Sequence, residues 1–222
     1  MPEFPTSPVA PAELLEDFLP AAFEALPPPP GTESLKLALG LRLDGAEGGE
    51  WVVELEEGRV RVRAGSRDAT AFSYVQSVDD WRGALWEGRG GWLGRGAAAL
   101  FRPGAEESQA AMGLVGGALP RALQALGAVR GLLRVDVTGP DGDWRVAVQL
   151  GPGAIPEEPT AIVSVAAEDI DEMIAGRLAP MEAFMAGRVR VTGDMTLLLQ
   201  IQAAQMQAAG ALAGGAGGGA SS

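Results

Sequence analysis

The stretch Leu133–Leu150 reads LRVDVTGPDGDWRVAVQL, in which two runs of alternating apolar and polar residues flank a turn rich in Gly and Asp. Successive side chains of a β-strand point to opposite faces, so each run predicts a strand with one buried and one polar face. The turn between them predicts that the two strands form a hairpin. The strand TAIVSVA and the helix AEDIDEMIAG follow, and in that helix the apolar residues share one face.

The first half of the chain repeats this order. LRLDGAEGGEWVVEL (Leu41–Leu55) parallels the hairpin and places Trp51 opposite Trp144, while DDWRGALWEGR parallels EDIDEMIAGR. We therefore expect a tandem repeat of helix, hairpin, strand and helix. The pentapeptide GRVRV also occurs twice, but at different places within the two units, so it indicates only two strands with one polar face each.

Composition shifts predict four segments. Residues 1–11 are rich in proline and predict a disordered leader, and residues 209–222 form a Gly/Ala tail that also predicts disorder. Between them we expect a first unit over residues 12–103 and a second, better formed unit over residues 104–208.

Whole classes of chemistry are excluded by two missing residue types. The 222 residues include no cysteine and no histidine, which removes thiolate nucleophiles, the usual general base and the commonest transition-metal ligands. We therefore expect no enzyme, no metal site and no cofactor. The net charge of −12 argues against a nucleic-acid partner, because binding to phosphates needs a positive surface.

The N-terminus lacks the basic and apolar regions of a signal peptide. The apolar segment Ala110–Leu133 is interrupted by Pro120, Arg121 and Arg130, which disfavours a membrane-spanning helix. We expect a cytoplasmic protein.

Methionines concentrate near the C-terminus, where five of the seven lie between Met173 and Met206. Methionine fills irregular gaps in a core and also lines adaptable ligand surfaces, and helical spacing alone favours the core.

The segment IAGRLAPMEAFMAGRVRVTGDMTLLLQI resembles the closing signature of the sterol carrier protein 2, or nonspecific lipid-transfer, family. DWRVAVQL and PTAIVSVAAEDIDEMIAG resemble its upstream motifs, so the resemblance covers about Ala105–Ala208 and is weak in the first half. The positions that match the closing signature are Gly176, Arg177, Leu178, Pro180, Ala183, Phe184, Gly187, Arg188, Val189, Arg190, Val191, Gly193, Asp194 and Met195.

This resemblance implies an α+β fold, with a mostly antiparallel five-stranded sheet covered by helices around a hydrophobic tunnel. It implies non-catalytic binding, and transfer, of a sterol, fatty acid, acyl-CoA or other lipid. The alternative is a dimerisation or protein-interaction module whose pocket is filled by its own side chains. Transient membrane contact, a protein partner and a homodimer all stay open. The candidate tunnel lining is Val146, Val148, Ile162, Ile170, Met173, Ile174, Met181, Phe184, Met185, Met195 and Leu198.

Three other features have both a functional and a structural interpretation. The acidic run Glu168–Glu172 suits acid–base work or, more simply, a solvated helix start. Trp51 and Trp144 suit stacking on a sterol or packing in a core. The glycines of Gly88–Gly96 suit a phosphate loop but lack its Lys-Ser ending.

Overall fold

In the computed structural model, which describes residues 2–27, 36–57, 59–103 and 124–215, the strands form one mixed sheet. The predicted strands around the two tryptophans are confirmed. The eight strands of the described part are β1 Lys36–Asp44, β2 Gly49–Glu56, β3 Arg59–Ala64, β4 Phe72–Ser77, β5 Gly131–Thr138, β6 Trp144–Leu150, β7 Ala161–Ala166 and β8 Val189–Gly193.

The strand order is β3-β2-β1-β4-β6-β5-β7-β8. Each half has the same pairing pattern. In the first half, β1 pairs antiparallel with β2 and parallel with β4. In the second half, β5 pairs antiparallel with β6 and parallel with β7. The expectation of a five-stranded sheet is wrong, because β4 and β6 pair antiparallel and join both halves into one sheet of eight strands.

Six α-helices accompany the sheet in the described residues. Two of these helices are extended by π-helical segments. Glu13–Phe18 precedes the helix that begins at Leu19, and Gly83–Glu87 follows the helix that ends at Arg82. The predicted helices after the parallel strands are confirmed at α2 and α4. The helices are α1 Leu19–Glu24, α2 Val78–Arg82, α3 Gly91–Ala99, α4 Ala167–Ile174, α5 Pro180–Met185 and α6 Met195–Gly215. The helix expected at the start of the second unit falls largely on residues 104–123, which lie outside the described residues.

The sheet has one apolar and one polar face, as the alternating sequence predicts. The cross-strand pairs Leu41–Trp51 and Val135–Val146 lie on the apolar face, which the helices cover. The other face carries charged residues such as Arg42 and Arg134. Three hydrophobic clusters lie on the apolar face, and two of them combine residues from both halves. The halves are therefore joined by side-chain packing as well as by β4 and β6.

Helix α5 is followed by a glycine in a left-handed conformation. Gly187 has φ of +72°, a left-handed conformation that glycine adopts without a steric penalty. Val189 and Val191 then lie half-buried in β8, while Arg188 and Arg190 are exposed. The two GRVRV segments contribute to β3 and β8, the opposite edges of the sheet. Charged side chains on an edge strand discourage pairing with another chain.

Parts of the two segments expected to be disordered, residues 2–11 and 209–215, are among the described residues. In the N-terminal segment, the carbonyl of Pro5 accepts a hydrogen bond from Trp86 Nε1 and that of Val9 accepts one from Arg82. Phe4 packs against Trp86 with ring centroids 5.5 Å apart. At the other end, α6 continues to Gly215, beyond the expected start of the tail at residue 209. Apolar residues of the leader remove their side chains from water by packing against the protein. The alanines of the tail favour a helix. Neither effect is visible in the proline and glycine content alone.

Candidate functional site

Five of the predicted lining residues lie on the apolar face of the C-terminal strands or on helices packed against it. Val146 and Ile170 are buried in one cluster, with Met173 packed against them. Val148 and Leu198 pack against a neighbouring cluster around Leu150 and Leu197. These five residues contact the core of the protein.

Ile162 does not join them. Ala161 and Val163 pair with Leu133 and Val135, whose side chains share the apolar face with Val146, so the intervening Ile162 points to the opposite face. It pairs with Arg134 on β5 and lies on the polar side of the sheet. Every residue of β7 except Ser164 is apolar, so the sequence of this strand gives only a weak signal for which face of the sheet each side chain occupies.

The other five predicted residues lie at the surface. Met181 and Met185 are 72% and 78% exposed, and Phe184 on the same short helix is 42% exposed. Ile174 and Met195 are also exposed, at the end of α4 and the start of α6. Side chains this open to solvent do not enclose a tunnel in this conformation. They form an exposed apolar surface around α5.

An apolar cavity of about 160 Å³ lies instead in the N-terminal half. Its floor is the apolar face of β1, β2 and β3, and Leu19 and Phe23 approach it from the helical segment above. Tyr74 of β4 and Phe101, which follows α3, complete the lining, with ring centroids 6.4 Å apart. The described residues around the cavity include no charged side chain.

Tyr74 is the one lining residue with a polar side-chain group. Its hydroxyl donates to Gln76 Oε1 at 2.5 Å, and Gln76 Nε2 donates to the carbonyl of Arg145 at 2.6 Å. Burial raises the pKa of the Tyr74 phenol well above its usual range, and the negative charge of Asp80 raises the pKa further. The hydroxyl is therefore neutral and already paired, so the cavity presents hydrocarbon to a guest.

The titration of Tyr74 gives a direct test of this geometry, because it is the only tyrosine in the chain. At about pH 11 an ordinary tyrosine with a pKa near 10 is about 90% ionised. We expect the folded protein to show almost no tyrosinate absorbance there and the urea-unfolded protein to show nearly the full signal. A folded-state titration near pH 10 contradicts the buried, paired hydroxyl.

The raised pKa of Tyr74 also makes one contribution to the dependence of the free energy of unfolding on alkaline pH. The folded state keeps the Tyr74 proton above the unfolded pKa of about 10, so above that pH the unfolded state binds fewer protons. The contribution of Tyr74 to the free energy of unfolding is therefore fully present below pH 10 and decreases as the pH rises further.

The two hairpin tryptophans belong to the core. Both rings are buried; Trp51 Nε1 donates to Glu16 at 2.8 Å and Trp144 Nε1 to the carbonyl of Asp80 at 3.1 Å. Gly90 lies against the Trp144 ring, where a Cβ atom would come within 2.6 Å of it. These contacts favour the structural interpretation of both side chains.

The acidic run of α4 forms an ion-pair network. Asp169 is 5% exposed and accepts a hydrogen bond from Arg188 Nε at 2.7 Å, while Arg188 also pairs with Glu172 at 2.7 Å. Hydrogen bonds to Asp169 and Glu172 raise the pKa of Arg188 above its usual range. The network ties α4 to the start of β8, which gives Asp169 and Arg188 structural partners.

A second opening of about 440 Å³ is lined by both polar and apolar residues. It lies between the glycine-rich start of α3, the hairpin turn Gly139–Gly142 and the start of α4. The glycines considered for a phosphate loop thus contact a shallow cleft, with Arg95 paired to Asp171 at 3.5 Å. Among the residues that the structure describes, no three acidic side chains come together as a metal site. In the same part of the chain, no helix is long and apolar enough to cross a membrane.

The C-terminal half is similar to known proteins. Residues 116–206 match the SCP-2 sterol transfer family. Sterol carrier protein 2 of Oryctolagus cuniculus is 27% identical over 73 residues, which are 31% of this chain and 13% of that protein. The resemblance in the sequence motifs is therefore confirmed, and the C-terminal half is SCP2-like.

Two solved structures with a sterol carrier protein description superpose weakly on this chain. The sterol carrier protein domain 2 of Helicoverpa armigera is 29% identical, covers 39% of this chain and 74% of its own, and has a TM-score of 0.31. A conserved hypothetical protein of Thermus thermophilus, described as "possibly sterol carrier protein", is 12% identical; it covers 93% of this chain and 90% of its own, with a TM-score of 0.22.

Proposed function

We propose that this protein binds a hydrophobic ligand on the helix-covered face of its sheet and holds it without chemistry. The observation that carries the proposal is the apolar cavity over β1, β2 and β3, whose single polar group is occupied by Gln76. The SCP2-like segment of residues 116–206 supports the same class of ligand.

The energetics suit a carrier. A ligand that hides about 400 Å² of apolar surface is stabilised by roughly 10 kcal/mol at about 25 cal/mol/Å². Losing its translational and rotational freedom costs about 4 kcal/mol or more. The remainder of about 6 kcal/mol corresponds to a dissociation constant of tens of micromolar, so measurable binding does not need a charged group.

Uptake of a fluorescent fatty acid tests the proposal. We expect saturable binding with a stoichiometry of one or two per chain, because the apolar face extends through both halves. The same protein unfolded in urea serves as the control, since it keeps the composition but loses the cavity. Equal fluorescence from the folded and unfolded samples counts against the proposal.

A second candidate is a protein-interaction module, and the exposed α5 surface favours it. We expect the double variant Met181→Glu, Met185→Glu to leave fatty-acid uptake unchanged if α5 serves only protein contacts. Sedimentation of the wild-type protein and of the double variant over a range of concentrations then compares their self-association. We expect the wild type to associate and the variant to stay monomeric if α5 is a protein contact. Loss of uptake in the variant instead assigns α5 to ligand binding.

A further inference from the structure

We propose that the N-terminal half holds a binding site of its own, which takes a single alkyl chain and excludes a sterol. The site is the cavity over β1–β3, outside the segment that matches the SCP2 family. This inference rests on the proposed function, because it assumes that the apolar face receives a ligand.

The size of the cavity decides between ligand classes. Its volume of about 160 Å³ is close to that of apolar protein cavities of about 150 Å³ that stay dry and bind benzene. Pockets for drug-sized molecules have volumes of about 300–1,000 Å³. A rigid four-ring sterol belongs to the second class, whereas a flexible chain can insert only its end.

The side chains that line the cavity also favour a flexible alkyl chain as the ligand. Leu39, Val53 and Val60 on the floor present methyl groups, and Phe23 and Phe101 present rings. The Tyr74 hydroxyl already donates to Gln76, so it is not free to donate to a carboxylate or a sterol hydroxyl. The polar end of the ligand therefore stays in water, and the site recognises the chain alone.

Fatty acids and fatty alcohols share this chain. Octanoate and 1-octanol are suitable probes because they differ in charge but not in the part that enters the cavity. We expect both to bind with affinities within about threefold of each other, and cholesterol to leave octanoate binding unchanged. Strong preference for one head group, or competition by cholesterol, overturns the assignment of the ligand class.

A filling substitution tests the location. Val53 is half-buried on β2 and lines the cavity, so Val53→Phe is expected to weaken octanoate binding at least tenfold. Val135→Phe is the matched control, because Val135 is a half-buried valine on the same face of β5, beside Val146 and Met173. We expect the control to bind octanoate within twofold of the wild type.

The outcomes separate this inference from the proposed function. If Val135→Phe abolishes binding and Val53→Phe does not, the site lies in the C-terminal half, so the inference is wrong while the function stands. If the wild-type protein binds neither alkyl probe nor the fluorescent fatty acid, the proposed function itself fails.

A measurement on the wild-type protein avoids any effect of substitution on folding. The Tyr74 ring lines the cavity, and its proton resonances are unambiguous because the chain has one tyrosine. We expect nuclear Overhauser contacts between the methylene protons of bound octanoate and this ring. Saturable octanoate binding without such contacts overturns the location.

Discussion

Replacing Arg67 with alanine is expected to destabilise the protein by about 3 kcal/mol and to lower its melting temperature by about 6–12 °C for a chain of this size. The Arg67 side chain is 1% exposed and lies where the two halves meet. Its guanidinium donates to Gln149 Oε1 at 2.8 Å, to the carbonyl of Gly153 at 3.1 Å and to Ser73 Oγ at 3.2 Å. One side chain from the first half thus satisfies acceptors from the second.

The size of the effect follows from what the substitution leaves behind. Gln149 is buried and loses the donor to its oxygen, and Glu50 loses a cation 3.7 Å away. Glu50 still reaches water, which keeps the expected cost at the lower end of the range for a broken buried pair.

Equilibrium unfolding in urea measures the change. Arg63→Ala is the control, because Arg63 pairs with Glu54 at 3.4 Å on the exposed face of the edge strand β3. Exposed pairs of this kind contribute about 0.2–1 kcal/mol. A loss below 1 kcal/mol for Arg67→Ala contradicts the structural role of this arginine.

Separating the halves is expected to have the largest effect of all. Residues 1–103 alone should not give a soluble monomer that unfolds cooperatively, and neither should residues 104–222. Without β6, β4 loses four cross-strand pairs, from Phe72–Leu150 to Val75–Ala147. An unpaired apolar strand edge promotes aggregation.

The packing of the core gives a second reason for the same result. Trp144 of the second half packs with Ala84 of the first and donates to the carbonyl of Asp80. We expect the two fragments to form a soluble complex when they are expressed together, since β4 and β6 can then pair. Two fragments that each fold as independent monomers contradict this account and restore the interpretation of two separate units.

The order of elements could be predicted from the sequence, whereas the joining of the halves could not. Local patterns mark both strands: Trp144–Leu150 alternates, and Ala161–Ala166 is a short, mostly apolar run rich in β-branched residues. The pairing of Tyr74 with Val148 joins residues far apart in sequence, and neither strand carries a local mark of its partner. Local patterns therefore do not predict a sheet that continues from one half into the other.

The burial of the candidate lining residues could be predicted less well than the strands, for physical reasons that differ between residues. Met181 and Met185 fit a helix with an apolar side, but spacing does not show whether anything covers that side. Ile162 shares its face with Ser164, a signal that could have placed it on the polar side. Arg67 was missed because arginine is rarely fully buried, so the sequence favours an exposed position.

The cavity in the N-terminal half could not be predicted from the family motifs, which lie in the C-terminal half. Its floor is nevertheless visible in the alternation of Leu37, Leu39 and Leu41 along β1. Space remains where the covering helices do not pack against all of the apolar side chains of a strand. Only the arrangement of those helices in the folded protein shows where this happens.

Native mass spectrometry of the intact protein, before and after extraction with organic solvent, shows whether the fold holds an apolar guest. We expect a bound apolar molecule, or stoichiometric uptake of added octanoate by the extracted protein, that disappears when the protein unfolds. A clean mass of the chain alone, with no uptake of octanoate at any concentration below its self-association, would mean that this protein is not a carrier of apolar ligands.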